Sequence, residues 1–491
     1  MYNSKIIGLL KTLSETEFKR FEDFVMSPFF NKSQKGGQLF DAIKDDYPEF
    51  NSERLSKESI YNKLYPGKEY NDERIRNLSS DLLNLGKEFL AQMKFLSDPF
   101  YPAKFLLDGL KEKKLDALYN KHLKLTNDYL ENDHRFDGNY FLYKINLEIS
   151  RIKFYLSRNI LESYFNSYLD FSELMAVYLL LELVAASEGI NRSEIMLNLN
   201  LKNNLADMLI NSVDFEKSID HLREKGSKYA DLVEMYYSKY NALLNADEDK
   251  YYFKYKDLFY SNINMLSRSE KYNLYTDVLA ICISKVRAGK ENFRRETFEV
   301  YKKMLDEGTY AYSENDFMNV EFYQGIVNRC VALKEIDWLE KFTKQYSGKL
   351  DPAYIENLRL YSEALINFIK KDFEKTLEYL SRINSAAFGI KLDIKNFSLM
   401  SYYELDAHEQ ALSLIDTYEH FLLKNKNVST NYKVLYGNFI KYAGLLIKIK
   451  LNLEKYNLVK LNREIIDCLE IANKHWLLEK TEELNRQIGR I

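Results

Sequence analysis

The sequence predicts an all-α protein: a small N-terminal helical domain followed by an α-solenoid of antiparallel helix pairs. Three observations carry this. Five of the six prolines lie at or before Pro102, and only Pro352 interrupts the rest of the 491-residue chain. Proline removes a backbone donor and clashes with the preceding helical turn, so its scarcity permits an unbroken succession of helices. A period of 35 residues recurs between about 315 and 425. Runs of alternating β-branched residues between tight turns, the mark of strands, are missing.

The proline-punctuated beginning, residues 1–97, reads as a domain of four or five short helices. Ser14 and Glu17 form a capping box, in which each side chain receives the other's backbone N–H, and Leu13 and Phe18 occupy the hydrophobic-staple positions. Phe18, Phe21 and Val25 make an apolar stripe that stops before Pro28. A second helix is expected from Ser33 to about Asp46, and a third over Ser56–Leu64, ended by Pro66-Gly67. Asn71 caps a long fourth helix carrying Ile75, Leu78, Leu82, Leu85 and Phe89 at helical spacing. Beyond Pro102 the helical pattern continues, with polar breaks expected at Asn132-Asp133, Glu188-Gly189, Asn245-Ala246-Asp247, Glu307-Gly308 and Ser347-Gly348. Residues 103–310 read as an irregular array of helical hairpins, and 311–491 as a regular solenoid with capping helices at its end.

The period is carried by Cys330, Leu365 and Met400, each 35 residues from the next, and in the same register by Leu333, Phe368 and Tyr403, by Trp338, Phe373 and His408, and by Phe342, Leu377 and Leu412. A period of this length means stacked supersecondary units, none of which can bury its apolar face alone. The stretch Lys371-Asp372-Phe373-Glu374-Lys375-Thr376-Leu377 resembles the start of the second helix of a tetratricopeptide repeat. Glu409-Gln410-Ala411-Leu412 is similar, with Ala411 at that family's small packing position. Tyr361, Ala364, Leu365 and Phe368, and again Leu399, Met400 and Tyr403, resemble first-helix positions. The chain departs from the family pattern in its period of 35 rather than 34, in Lys341 and Thr376 at the small position, and in Arg329 at a normally apolar one. The resemblance implies a superhelical scaffold whose concave groove binds peptides. Carried over, it places Gln324, Arg359, Ser362, Phe397, Ser401 and Glu404 on the first helices facing that groove.

Charge and cysteine content narrow the function classes. The net charge is −3, so any electrostatic recognition is local. Three widely spaced cysteines, Cys282, Cys330 and Cys468, fit neither a disulfide framework nor a zinc site. No apolar run approaches ~20 residues, and the start of the chain lacks a signal h-region, so a cytoplasmic protein is expected.

Motifs that carry chemistry are absent from the sequence: no phosphate-binding glycine loop, no H-E-x-x-H, no nucleophile elbow. Gly36-Gly37 reads as a local helix irregularity. The six histidines (His122, His134, His221, His408, His420 and His475) are scattered. Glu404 and His408 stand four apart on one face but make an incomplete metal site. The expectation is therefore a non-catalytic protein with no cofactor and no metal. The tyrosines at 236, 237, 240, 251, 252, 255 and 260 read as packing between helices, with an aromatic binding surface as the sharper alternative.

Two features favour nucleic acid or an acidic partner. The helices flanking Tyr65–Tyr70 have a helix–turn–helix flavour with Lys57, Lys63, Lys68, Arg74 and Arg76, interleaved with Glu58, Glu69, Asp72 and Glu73. Residues 424–463 hold nine basic side chains (Lys424, Lys426, Lys433, Lys441, Lys448, Lys450, Lys455, Lys460 and Arg463) against the single Glu454. On a helix, Lys433, Lys441 and Lys448 share a narrow face, beside an apolar face of Val434, Leu435, Phe439, Tyr442, Leu445, Leu446 and Ile449. Tyr432 and Tyr436 are expected at the surface, where they could stack on bases. The leading expectation is a scaffold that binds a protein or peptide. The alternative is a nucleic-acid-associated regulator that uses the N-terminal helices or the basic segment.

Overall fold

The computed structural model describes residues 1, 4–32, 35–133, 135–197, 204–245, 247–384, 388–425, 430–452 and 456–488. Among them are 24 α-helices and no strand, and 79% of the described residues are helical. The chain clusters into two compact units: Met1–Glu131 with Asn146–Tyr164, and Asn132–Ile145 with Phe165–Ile491.

The first unit contains α1 (Lys5–Leu10), α2 (Glu15–Met26), α3 (Lys35–Ile43), α4 (Lys57–Leu64), α5 (Asp72–Ser97), α6 (Tyr101–Glu112) and α7 (Asp116–Asp128). It also takes the later part of α8 (Tyr140–Ser157) and the start of α9 (Leu161–Leu197). The capping box forms as read: Ser14 Oγ accepts from Glu17 N–H at 3.3 Å, and Glu17 Oε2 accepts from Ser14 N–H at 2.8 Å. Ser56 and Asn71 cap α4 and α5 by accepting from Ser59 N–H and Arg74 N–H. Ser33, the expected start of α3, lies outside the described residues. Within this unit one apolar core runs from Met1 to Phe89 and closes on itself. Phe21 sits at its centre, 5.4 Å from the Phe40 ring and 5.2 Å from that of Phe89. Burying each such side chain is worth ~1.5–3 kcal/mol. Gly36 is explained by this core: a Cβ there would lie 2.8 Å from Leu85 Cδ1, so the glycine lets α3 approach α5.

The second unit continues with α10 (Leu205–Ser212), α11 (Phe215–Glu224), α12 (Ala230–Leu244), α13 (Asp249–Asn262), α14 (Arg268–Arg287) and α15 (Asn292–Asp306). The periodic region follows as α16 (Val320–Leu333), α17 (Ile336–Tyr346), α18 (Ile355–Ile369), α19 (Phe373–Ser381), α20 (Phe388–Glu404) and α21 (His408–Lys424). The last helices are α22 (Thr430–Lys450), α23 (Leu458–Asp467) and α24 (Lys474–Ile488). From α14 to α22 successive helices pack on one another, α24 packs on both α23 and α22, and α16 also meets α18 past α17, as stacked helix pairs do.

One turn joins many of these helices. A single residue at positive φ ends the first helix, and the next N–H reaches back to the carbonyl five residues earlier. It occurs at Lys114, Asn159, Gly226, Gly289, Lys334, Lys371 and Asp406, with return bonds such as Glu335 N–H to Cys330 O at 2.9 Å and Asp372 N–H to Asn367 O at 3.0 Å. Asp372 then caps α19 at once, accepting from Lys375 N–H. These turns also correct the period. Lys371 and Asp406 are 35 residues apart, but Lys334 and Lys371 are 37 apart. The α16–α17 turn therefore falls two residues ahead of the register that pairs Trp338 with Phe373.

A second correction concerns Glu188-Gly189. No break occurs there; α9 runs through to Leu197. Glu188 is buried and holds Lys239 Nζ at 2.8 Å, and Asp277 holds the same ammonium at 3.1 Å. A polar pair that looked like a loop is thus part of a buried charge triad. The other expected breaks coincide with helix ends, although Ala246 lies outside the described residues. The tyrosine group is mostly packing: Tyr252 and Tyr255 are fully buried, and their hydroxyls donate to Glu296 and to Leu274 O.

Candidate functional site

The residues assigned to a concave groove do not form one open face. Ser362 is buried between α16 and α18, its hydroxyl donating to Leu358 O and lying 2.9 Å from the Tyr323 hydroxyl. Ser401 is fully buried, and Phe397 packs edge-on to Phe368 with ring centroids 5.0 Å apart. Arg359 is exposed and, among the described residues, pairs only with Glu356 on its own helix. Gln324 donates to Asp393 Oδ2 at 2.6 Å. Glu404 accepts from Trp476 Nε1 at 3.0 Å and pairs with Lys480 at 2.9 Å, which fastens α20 to α24 and takes it away from His408. The family pattern placed these positions on an open face, but in this stack the neighbouring helix layer covers most of them.

What the stack does enclose is a recess of about 410 Å³, lined from α14, α15, α16, α18, α20, α22, α24 and the segment before α24. Phe368, Phe397 and Met400 supply its apolar wall on α18 and α20. Beside them Asp393 is buried on α20, its Oδ2 accepting from Gln324, Asn328 and Tyr361 at 2.6–2.7 Å. Burial raises the Asp393 carboxyl above its usual value, and the three donors only partly offset that.

On the α14–α16 side the recess is basic. Its lining holds Arg287, Arg294, Arg329, Lys334 and Lys474 against Glu291, Asp393 and Glu479. Arg294 donates to Glu291, and Lys474 Nζ is held by the carbonyls of Ile466 and Cys468 at 2.6 and 3.1 Å. Arg329 differs. Its Nε is shut from solvent with no acceptor, and no carboxylate lies within ion-pairing distance of its guanidinium among the described residues. Burial pushes this guanidinium below its usual pKa; Tyr301 and Glu291 pull the other way, and Arg294 adds to the lowering. The local geometry follows from close packing of α15 on α16: Gly325, one turn before Arg329, sits under the Tyr301 hydroxyl, where a Cβ would lie 2.3 Å from it.

The basic segment is only partly a ridge. Lys441 and Lys448 are exposed and have no ion pair among the described residues, whereas Lys433 is half-buried. Lys450 is drawn to Asp406 and lies over the Tyr403 ring. Lys426, Glu454 and Lys455 lie outside the described residues. Phe439, Tyr442, Leu446 and Ile449 are buried as expected, but Val434 is exposed. Tyr436, expected at the surface, lines the recess instead, while Tyr432 is exposed. In the N-terminal domain Asp72 binds both Lys57 at 2.7 Å and Arg76 at 2.9 Å, and Lys68 and Arg74 lie over the Tyr65 ring. The bases of the helix–turn–helix element are therefore largely engaged within it.

No group of three or more potential metal ligands occurs among the described residues, with His134 outside them. No described helix is long and apolar enough to cross a membrane. No protein family matches the chain, and comparisons with curated proteins and with solved structures return no match.

Proposed function

We propose that this chain is a non-catalytic cytosolic scaffold that binds a protein or peptide through the inner surface of its C-terminal helical stack. The observation that carries this reading is the recess: a single pocket drawn from seven helices of a stacked array, with an apolar wall beside a basic one. Such a volume, with convergent polar groups around an apolar wall, is what recognition of side chains requires. A tetratricopeptide-like arrangement belongs to the same proposal. It is supported by the helix–turn–helix joints at Lys371 and Asp406, 35 residues apart, and by the fully buried Ala411 at the small packing position.

The test is affinity capture by the full chain from its native host, with mass spectrometry and nuclease controls. The reading expects a protein that survives nuclease treatment and is lost when Arg287 and Lys334, both exposed at the recess, are changed to glutamate. Recovery that disappears with nuclease and depends on Lys441 and Lys448 would instead select the nucleic-acid reading, which those two unpaired lysines favour.

A further inference from the structure

We infer that the recess is an oxyanion site in which Arg329 holds a carboxylate or phosphoryl group of a small ligand or of a partner's side chain. This rests on the recess being the working surface of the stack. The chain is net negative, −3 overall, yet five basic side chains meet three acids around one cavity. The other basic groups there are accounted for or wet: Arg294 by Glu291, Lys474 by two carbonyls, and Arg287 and Lys334 by solvent. Arg329 alone is half-buried with an orphaned Nε and no counter-ion among the described residues.

A half-buried guanidinium with one nitrogen shut from both water and any acceptor is costly, and stacked packing gives no reason to keep one. Its position sharpens the point. It breaks the apolar pattern of the first helix, where a leucine or valine would pack, and sites that break a local rule are where function is expected. The guanidinium fork matches carboxylate and phosphate oxygens in two parallel hydrogen bonds. A bare anion would leave much of about 410 Å³ empty. The remainder of the ligand would then lie against Phe368, Phe397 and Met400, which line the same recess. Burial of the guanidinium lowers its pKa, and an incoming oxyanion would reverse that shift.

The experiment is thermal unfolding of the full chain titrated with inorganic phosphate in one arm and succinate in the other, at ionic strength held constant with sodium chloride. The melting temperature should climb with one or both anions, as a ligand specific to the folded state requires. The arm with the larger shift assigns the phosphoryl or the carboxylate source. Arg329→Met should fold at least as stably without ligand and lose roughly 10–100-fold in apparent affinity. Arg329→Lys, which keeps the charge and loses the fork, should lie between. The inference is overturned if neither anion moves the wild-type melting temperature beyond the sodium chloride control, or if Arg329→Met responds as wild type does. Either result leaves capture through Arg287 and Lys334 to be judged separately. Conversely, an anion response that needs Arg329 stands even where no protein partner is recovered.

Discussion

Before residue 100, Asn31 is the one buried polar or charged side chain among the described residues, whereas the region from α12 onward buries Glu234, Lys239, Asp277, Lys285, Asp393 and Lys480. The first ninety residues are built around an apolar core in which Phe21, Phe24, Phe40 and Phe89 meet ring to ring. The helical stack instead carries charge inward and satisfies much of it in pairs and triads, while Arg329 has no ion pair among the described residues. The difference follows from geometry. A core that closes on itself has nothing to present, so any buried polar group there costs stability without return. A stack of helix pairs has an inner surface as well as a core, and polar groups placed there can both fix the layers and meet a ligand.

Phe21→Ala should cost ~3–5 kcal/mol by leaving a cavity at the centre of the first core. Hydrogen exchange should then show lost protection in α2, α3 and α5 and unchanged protection in α16–α20. Equal loss in the stack would mean that the two regions unfold together. Lys239→Ala should cost a comparable ~3–5 kcal/mol, because it strands Glu188 and Asp277 without their shared cation. Chemical denaturation would register it, and a loss under ~1 kcal/mol would show that the triad is hydrated rather than buried.

Smaller changes sharpen the picture. Ser14→Ala removes the capping box at α2 and should cost about 1 kcal/mol. Lys371→Gly should stabilise by ~0.5–1 kcal/mol, since Lys371 is exposed and holds φ at +62° in the recurring turn, a conformation that glycine adopts without strain. A destabilised variant would show that the lysine side chain contributes a contact that outweighs the backbone strain. Asp393→Asn tests the inward-facing polarity through pH. With its folded pKa raised by burial, the wild-type carboxyl keeps its proton longer when folded than when unfolded. Wild-type stability from this group therefore falls as pH rises from the unfolded value through the raised one. The melting-temperature advantage of Asp393→Asn should be present at neutral pH and shrink on acidification toward pH ~4. A constant difference would mean that Asp393 titrates normally.

Much of this fold was written locally in the chain. Ser14 and Glu17, Asn71, and the stripe Ile75, Leu78, Leu82 and Phe89 state a helix start and a buried face by spacing alone. The same logic misread Glu188-Gly189, because a charge that is buried beside a distant Lys239 looks, in sequence, like a charge in a loop. The repeat register slipped for a related reason. The period was set by apolar residues such as Trp338 and Phe373, while the chain is kept in step by the left-handed turns at Lys334 and Lys371, which lysine does not advertise as glycine would. The site was half legible. Arg329 stood out as a departure from the repeat pattern, and that departure marks the recess. Its neighbours Arg287, Arg294 and Asn396 gave no signal, because what unites them is the stacking of helices far apart in the chain. The groove positions Ser362 and Ser401 were carried over from a pattern whose inner face is open, and here the adjacent layer closes over them, while Phe397 lines the recess.

The most direct test of the proposed working surface compares two charge reversals in the same capture experiment: Arg287→Glu with Lys334→Glu at the recess, and Lys441→Glu with Lys448→Glu on α22. All four side chains are exposed, so both double variants should keep the helical circular dichroism and melting temperature of the wild type. If the recess is where the partner binds, the first pair loses the captured protein and the second retains it. Retention by the first pair with loss in the second would contradict the account and move the working surface to the basic helix.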